Sequence, residues 1–193
     1  IGIVTGSDFS YIIEQCQPLF DEACNRHCSL KNLTLYPCNG TKVFKWSPEF
    51  LSFKESYSVN MIEELGQDDY NALLTSCLEY QSCISTIHSL PYTGTFLHYR
   101  GSMLNWCPIG RSANAAQREA WVNEDAHYKI RERFFRLLKR DIESADIHAT
   151  VTLGGSTSFD IYPIYTTLDD AEDHQSYSVS SPAETISLIN KYI

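Results

Sequence analysis

The residues best suited to chemistry are three arginines within one short stretch, HYRGSMLNWCPIGRSANAAQR, at residues 98–118. Arg111 precedes a predicted helix that starts with the capping-box spacing Asn114-Ala-Ala-Gln117, and Arg118 lies in the first turn of that helix. A helix N-terminus favours an anion, and each guanidinium adds a planar fork of donors that fits phosphate. With Arg100 at the end of the preceding predicted strand, the spacing indicates a phosphate site. The alternative is that each arginine pairs with a surface carboxylate.

Two further places in the sequence could bind hydroxyl or phosphoryl groups. Ser158 and Asp160 alternate on a predicted strand, so we expect both side chains on one face, where they could hydrogen-bond sugar hydroxyls. The alternative is the polar outer face of a half-buried sheet. Ser7 follows a predicted buried strand, at the edge where α/β sheets bind ligands, although a helix N-cap would explain it equally well.

The elements at the two ends of the chain have an α/β pattern. We predict a buried strand over 1–5, followed by a helix capped by Ser7 or Asp8. Residues 33–46 are predicted to form a strand, an Asn-Gly turn and a second strand. A late strand and then an amphipathic helix over 183–192 are predicted near the end of the sequence. These segments predict an α/β unit formed by residues 1–60 and 164–193.

The middle of the chain, residues 61–163, has an antiparallel α+β pattern. Its predicted elements are two helices over 61–87 divided at Gly66, a hairpin over 94–109, a short helix from Asn114, a longer helix from Asp125, and strands over 147–155 and 158–163. The apolar face of the longer helix comprises Ile130, Phe134, Leu137, Leu138 and Ile142, and we interpret its basic remainder as a solvated face. The natural arrangement inserts this unit into the α/β unit.

Composition limits the classes of partner. Hydrophobic residues make up 43% of the chain and aromatic residues 12%, which is sufficient for a packed core. No apolar run reaches the length of a membrane span, so we expect no membrane partner, and IGIVTGSDFS does not have the pattern of a signal peptide. A net charge of -9 disfavours nucleic acid. The acidic cluster Asp169, Asp170, Glu172 and Asp173 is interpreted as a solvated loop.

The seven cysteines give no metal or disulfide signature. Cys24, His27 and Cys28 come nearest to a zinc pattern, but on a helix we interpret them as packed thiols. Reduced thiols favour a cytoplasmic location. The sequence also lacks a P-loop, a dinucleotide-binding fingerprint and a GxSxG nucleophile elbow.

Several stretches together resemble the eukaryotic-type phosphomannomutases of the haloacid dehalogenase superfamily. GTFLHYRGSMLNWCPIGRSANAAQREAW is similar to the signature of their cap domain, GGSTSFDIYP to a later cap segment, and IGIVTGSDFS to the strand of their second motif. YPCNGTKVF, KIRERFFRLLKRDI and SYSVSSPAETISLI resemble further segments in the same order. The resemblance spans nearly the whole chain. It implies a Rossmann-like core with an inserted α+β cap of type IIB, built on an antiparallel sheet.

The resemblance also implies roles for the candidate residues. Arg100, Arg111 and Arg118 would bind the phosphate of a hexose phosphate, and Ser158 and Asp160 would bind its hydroxyl groups. Ser7 would contact the transferring phosphoryl group. The implied enzyme interconverts hexose 6-phosphate and hexose 1-phosphate through an aspartyl-phosphate and a bisphosphate intermediate. Mannose phosphates are the expected substrates, and glucose phosphates are the alternative, since the sequence does not distinguish the two sugars. It would use Mg²⁺, form a homodimer through the cap and supply mannose 1-phosphate for GDP-mannose biosynthesis.

Two motifs of the family are missing from this sequence. It contains no Asp-x-Asp-Gly-Thr, so the catalytic nucleophile and the acid/base aspartate are not identified here. The family's metal-loop segment would fall between Pro163 and Ile164, where a crossover unit of about thirty residues is expected.

Two interpretations of these missing motifs remain. In the first, the sequence joins stretches of a longer enzyme. In the second, it is a truncated relative that binds sugar phosphate without turnover. We favour the first, because deleting central strands would leave backbone groups unpaired. A superfamily sugar-phosphate phosphatase, a regulatory binding module and a structural dimer module are the alternative functions.

Overall fold

The structure, a computed structural model, describes residues 1–26 and 28–164 together with the backbone of Ser176–Ser178. The chain divides into two compact units, the first formed by residues 1–59 and 165–193 and the second by residues 60–164. The predicted helix over 183–192, the acidic cluster at residues 169–173 and His27 lie outside the described residues. None of the helices in the described part is long and apolar enough to cross a membrane. Assigning the units to a catalytic core and a substrate-binding cap stays a prediction.

The described residues form five helices and nine strands. In order they are β1 (Gly2–Val4), α1 (Phe9–Asn25), β2 (Thr34–Tyr36), β3 (Lys42–Ser47), β4 (Ser52–Ser58), α2 (Met61–Leu65), α3 (Gln67–Ile87), β5 (Leu97–Tyr99), β6 (Leu104–Trp106), α4 (Ala115–Tyr128), α5 (Ile130–Ser144), β7 (Ala149–Gly154), β8 (Ser158–Pro163) and β9 (Ser176–Ser178). Short 3-10 turns at Leu30–Asn32 and Cys38–Gly40 flank β2.

The first unit is a five-stranded mixed sheet in the order β4-β3-β2-β1-β9. β1 pairs in parallel with both β2 and β9, and the burial of Gly2 and Ile3 confirms the predicted buried strand. The apolar face of α1 is buried at helical spacing through Ile12, Cys16 and Phe20, in one core cluster with Ile3 and Leu35 of the sheet. This packing fixes the place where β1 ends and α1 begins.

The N-terminal cap of α1 is Asp8, whose carboxylate accepts a hydrogen bond from the N–H of Phe9 at 2.9 Å. Ser7 lies one position earlier and is not the cap. Its carbonyl oxygen accepts from the N–H of Cys38 at 2.9 Å, and its own N–H donates to the hydroxyl of Thr5 at 3.2 Å. These contacts hold Ser7 at the carboxyl end of β1.

Strand β4 was not predicted from the sequence, and the expected order of elements was wrong at this point. The segment SFKESYS is mostly polar, so it lacks the apolar run by which buried strands are recognised. Within the described part of the chain β4 is an edge strand that pairs with β3, and Phe53 is its buried residue. An edge strand carries charged side chains because they discourage pairing with other chains.

The second unit is a four-stranded antiparallel sheet in the order β5-β6-β8-β7. The predicted hairpin is confirmed, with Leu97 opposite Trp106 and Tyr99 opposite Leu104. The predicted division between α2 and α3 is also confirmed at Gly66, whose φ of +81° suits glycine. The fully buried Trp106 forms the centre of the core, which also contains the apolar residues of α3 and α5.

The predicted start of the longer helix at Asp125 was wrong. Helix α4 continues to Tyr128, and the break falls at Lys129, which adopts a left-handed conformation with φ of +54°. The Asp125 carboxylate accepts a hydrogen bond from the N–H of Arg131 at 2.7 Å, and an ion pair joins the two side chains at 2.7 Å. Asp125 therefore caps the first turn of α5 from within α4, which explains why the sequence resembled a helix start.

Helix α5 confirms the predicted apolar face, with Ile130, Phe134, Leu138 and Ile142 buried. On its outer face Arg136 pairs with Glu132 at 3.2 Å, and Lys139 with Glu143 at 3.9 Å. These are exposed pairs one helical turn apart, each contributing only a few tenths of a kcal/mol by the usual magnitude (about 0.3–0.5 kcal/mol).

Tyr80 of α3 donates a hydrogen bond to the carboxylate of Asp141 on α5. Burial and the neighbouring Asp141 raise the pKa of Tyr80 to about 12. We expect Tyr80→Phe to lower the free energy of unfolding at pH 8 by about 1.5–3 kcal/mol, the usual value for a hydrogen bond to a charged group.

Because the folded-state pKa of Tyr80 exceeds the unfolded value near 10, the phenol stabilises the fold below pH 10 and loses that effect towards pH 12. The difference in the free energy of unfolding between wild type and Tyr80→Phe should therefore decrease towards zero between about pH 10 and pH 12. Denaturant titrations followed by tryptophan fluorescence measure it. Tyr11→Phe is the control, because its side chain is 50% exposed in the first unit, and its free energy of unfolding should equal that of wild type. A difference between Tyr80→Phe and wild type that does not change with pH would contradict the expectation.

Candidate functional site

The three arginines of the predicted phosphate site lie in the second unit, on segments that the fold ties together. The N–H of Arg100 donates to the carbonyl of Met103 at 2.8 Å and closes the turn between β5 and β6. The N–H of Arg111 donates to the carbonyl of Thr95 at 3.1 Å, which joins the loop after β6 to the segment before β5. The predicted capping box is confirmed, with both of its hydrogen bonds present at the start of α4.

Arg118 is held in place by backbone and side-chain acceptors. Its Nε donates to the carbonyl of Ala113 at 3.0 Å, and its Nη2 donates to the carbonyl of Arg111 at 3.0 Å. Its Nη1 lies 3.3 Å from the hydroxyl of Thr157, a residue only 5% exposed. These neutral acceptors fix the guanidinium in position, and no ion pair joins it to a carboxylate among the residues that the structure describes.

The surroundings of Arg111 shift its pKa. Partial burial and the positive charges of Arg100 and Arg118 lower the pKa of Arg111, while Cys107 and Asp160 act in the opposite direction. No ion pair within the described part of the chain includes Arg111 or Arg118, so the structure gives no support to surface carboxylate partners for these two. Clustered guanidinium groups of this kind suit an anionic ligand.

Ser158 and Asp160 project from β8 over the same glycine. A methyl group placed on Gly154 would lie 2.7 Å from the Ser158 hydroxyl and 3.0 Å from Oδ2 of Asp160, so both side chains occupy that face. The hydroxyl of Ser158 donates to the carbonyl of Gly154 at 2.8 Å. Asp160 is only 4% exposed, so it is part of a buried polar group rather than of a polar outer face.

A buried amide links the carboxylate to the arginines. Nδ2 of Asn105 donates to Oδ1 of Asp160 at 2.7 Å, and Oδ1 of Asn105 accepts from Nη1 of Arg111 at 3.4 Å. Arg111, Asn105 and Asp160 thus form one connected network, with Ser158 beside it. A phosphate held by the guanidinium groups and a hydroxyl-bearing ring beside the carboxylate would suit this arrangement.

Asn105 and Thr157 were not among the residues selected from the sequence. Asn105 does leave a signal, because it is an amide within the otherwise apolar run MLNWCPI, at a strand position expected to be buried. Thr157 has no comparable signal, since its contacts with Arg118 and with the thiol of Cys107 depend on the fold.

The described residues do not supply a metal site. They contain no group of three or more histidine, cysteine, aspartate or glutamate side chains able to hold a metal ion. The seven cysteines all lie in the described part of the chain, and none of them forms a disulfide.

Ser7, the candidate residue outside the second unit, belongs to the first unit, at the carboxyl end of β1.

Comparison with solved structures identifies the class of fold. The Plasmodium falciparum IMP-nucleotidase aligns with 98% of this chain and 48% of its own, at a TM-score of 0.54 and 15% identity. An IMP-bound mutant of that protein aligns with 98% of this chain and 58% of its own, at a TM-score of 0.59 and 13% identity. At this identity the likeness concerns the fold alone, which is a mixed α/β fold.

Sequence comparison then identifies the family. Residues 1–171 match the family described as eukaryotic phosphomannomutase, and the chain belongs to that family. It is 34% identical over 163 residues to a phosphomannomutase of Saccharomyces cerevisiae, covering 84% of this chain and 57% of that protein. It is also 34% identical over 164 residues to human phosphomannomutase 1, covering 84% and 56%. The chain therefore spans little more than half the length of these curated relatives.

Proposed function

We propose that this protein is a phosphomannomutase, interconverting mannose 6-phosphate and mannose 1-phosphate, and that its second unit binds the substrate. The network of Arg111, Asn105 and Asp160 carries the proposal, because it places guanidinium groups beside a buried carboxylate. The names of the relatives support mannose as the sugar.

In this proposal the candidate residues of the second unit bind the substrate. Arg100, Arg111 and Arg118 hold the phosphate that does not react, since their forks of donors match its oxygens. Ser158 and Asp160 hydrogen-bond the sugar hydroxyls from β8. Because the arginine side chains are already positioned by the fold, little side-chain entropy is lost when the ligand binds. Ser7 is proposed to contact the transferring phosphoryl group.

The transfer of the phosphoryl group needs a nucleophile that this sequence does not identify. The family implies Mg²⁺, which offsets the charge of a transferring phosphoryl group when bound. No metal-binding group is present among the residues that the structure describes, so these residues do not fit the ion. The contribution that we assign to them is therefore substrate binding and orientation.

Ligand binding by the whole chain tests the proposal first. Isothermal titration calorimetry should show saturable binding of mannose 1-phosphate, and weaker binding of mannose, because the arginines contact only the phosphate. Equal affinity for mannose and mannose 1-phosphate would contradict the proposed site.

Turnover tests the second half of the proposal. Protein expressed from the complete coding sequence, with Mg²⁺ and a hexose bisphosphate activator, should convert mannose 1-phosphate to mannose 6-phosphate. Release of free mannose and inorganic phosphate would instead indicate a phosphatase.

The assembly and location are also proposals. A homodimer formed through the second unit is supported by exposed apolar side chains on its helices, among them Leu78, Ile87, Val122 and Tyr128. A role in supplying GDP-mannose synthesis follows from mannose 1-phosphate as a product. A cytoplasmic location is supported by the lack of disulfides among the seven cysteines. Light scattering on the purified protein tests the dimer, and a monomer at micromolar concentration would contradict it.

A further inference from the structure

Asn105 occupies an unusual position for an amide. It is 4% exposed, lies on the central strand β6, and faces Asp160 of β8 directly in the register of the sheet. Its neighbours along the strand, Leu104 and Trp106, are apolar and buried. Burying an amide costs free energy unless it is hydrogen-bonded, so its contacts must compensate for that cost.

The hydrogen bonds of Asn105 determine which way its amide points. Nδ2 donates to Oδ1 of Asp160 at 2.7 Å and to the carbonyl of Phe159 at 3.3 Å, which uses both of its hydrogens. The amide oxygen is thereby directed to Nη1 of Arg111, at 3.4 Å. A reversed amide would set its oxygen against the carboxylate and its N–H groups against the guanidinium.

We infer that Asn105 is a positioning residue that couples the phosphate-binding and hydroxyl-binding halves of the site. It orients Asp160 through its amide nitrogen and Arg111 through its amide oxygen. This inference rests on the proposed function, because the two halves acquire their roles only if a sugar phosphate binds. The amide is also neutral, so it joins an anion to a cation without adding a charge that would compete with the ligand.

The isosteric variant Asn105→Asp separates this role from a purely structural one. It replaces the donor with a second carboxylate beside Asp160, and two carboxylates this close repel each other when both are ionised, which raises the pKa of one of them. When ionised, the new carboxylate also pairs with Arg111 and competes with the ligand phosphate. At lower pH it is protonated, which restores a donor to Asp160 and removes the competing charge.

The dissociation constant of mannose 1-phosphate should be measured by calorimetry for wild type and Asn105→Asp at the same pH values. At pH 8 the variant is expected to bind about tenfold to a hundredfold more weakly, the effect of losing hydrogen bonds to charged groups. The ratio of the two constants should fall as the pH is lowered to 5, and comparing proteins at one pH cancels the titration of the ligand. Asn123→Asp, at an exposed position of α4, is the matched control and should show a ratio near one.

Asn105→Ala provides a second readout that needs no buried carboxylate. The variant should weaken the binding of mannose 1-phosphate more than the binding of inorganic phosphate. The reason is that inorganic phosphate contacts Arg111 but makes no contact that depends on Asp160. Equal losses for both ligands, or a pH-independent ratio for Asn105→Asp, would overturn the coupling and leave the proposed function intact. Wild-type protein that binds no hexose phosphate would overturn the proposed function itself.

Discussion

Replacing Arg111 with methionine is expected to weaken binding of mannose 1-phosphate by about tenfold to a hundredfold, because hydrogen bonds to a charged group are lost. The free energy of unfolding should fall by about 0.5–1.5 kcal/mol, the usual value of one hydrogen bond, because the buried amide oxygen of Asn105 loses its donor. No larger loss is expected, because Arg111 makes no ion pair with a described carboxylate. Partial burial and the charges of Arg100 and Arg118 lower the pKa of Arg111, and a bound anion would offset this unfavourable environment.

The measurement is the dissociation constant from calorimetry, combined with the midpoint of thermal unfolding without ligand. Arg111→Lys keeps the charge but loses the fork, so its affinity should fall between wild type and Arg111→Met. Arg136→Met removes a cation that is 70% exposed on α5 and should leave the affinity unchanged. If Arg136→Met weakened binding as much as Arg111→Met, the effect would reflect net charge rather than the site.

Much of the second unit could be predicted from the sequence because its signals are local. The capping box at Asn114, the glycine break at Gly66 and the apolar face of α5 each depend on residues within one or two turns. The same local signals placed Arg111 and Arg118 on either side of a helix start. Their proposed role in binding a hexose phosphate came from family resemblance and stays a prediction.

The features that were missed depend on contacts between distant segments. The partner of Asn105 is 55 positions away, so an amide that bridges Asp160 and Arg111 is visible only once β6 and β8 are paired in register. The sequence around Asp125 resembles a helix start, and in the structure Asp125 caps α5 across the break at Lys129. Strand β4 has no apolar pattern of its own, since an edge strand gains its pairing from a neighbour.

Replacing Gly110 with alanine is expected to have the largest effect on stability among the glycines near the site. Its φ is +85°, and a methyl group there would lie 2.5 Å from the hydroxyl of Thr93 and 2.6 Å from the carbonyl of Gly94. A left-handed alanine costs about 1–2 kcal/mol, and forcing a methyl group into occupied space adds about 1–3 kcal/mol. The free energy of unfolding should therefore fall by about 2–5 kcal/mol in all.

The clash at Gly110 should also reach the ligand site. The segment around Thr93 is tied to this loop, because the N–H and the hydroxyl of Thr93 both donate to the carbonyl of Ile109. The next hydrogen bond runs from the N–H of Arg111 to the carbonyl of Thr95, so moving the two segments apart displaces the arginine. We therefore expect Gly110→Ala to weaken mannose 1-phosphate binding as well as stability.

Gly101→Ala separates the backbone cost from the steric cost. Gly101 has a nearly identical φ of +82°, but a methyl group there would meet nothing within 4 Å. The free energy of unfolding of Gly101→Ala should fall by only about 1–2 kcal/mol, the cost of a left-handed alanine. Denaturant titration of wild type, Gly101→Ala and Gly110→Ala gives these free energies. The additional loss in Gly110→Ala measures the steric contact between the loop and Thr93. Equal losses in the two variants would show that the loop relaxes around the methyl group, and the expected displacement of Arg111 would then fail with it.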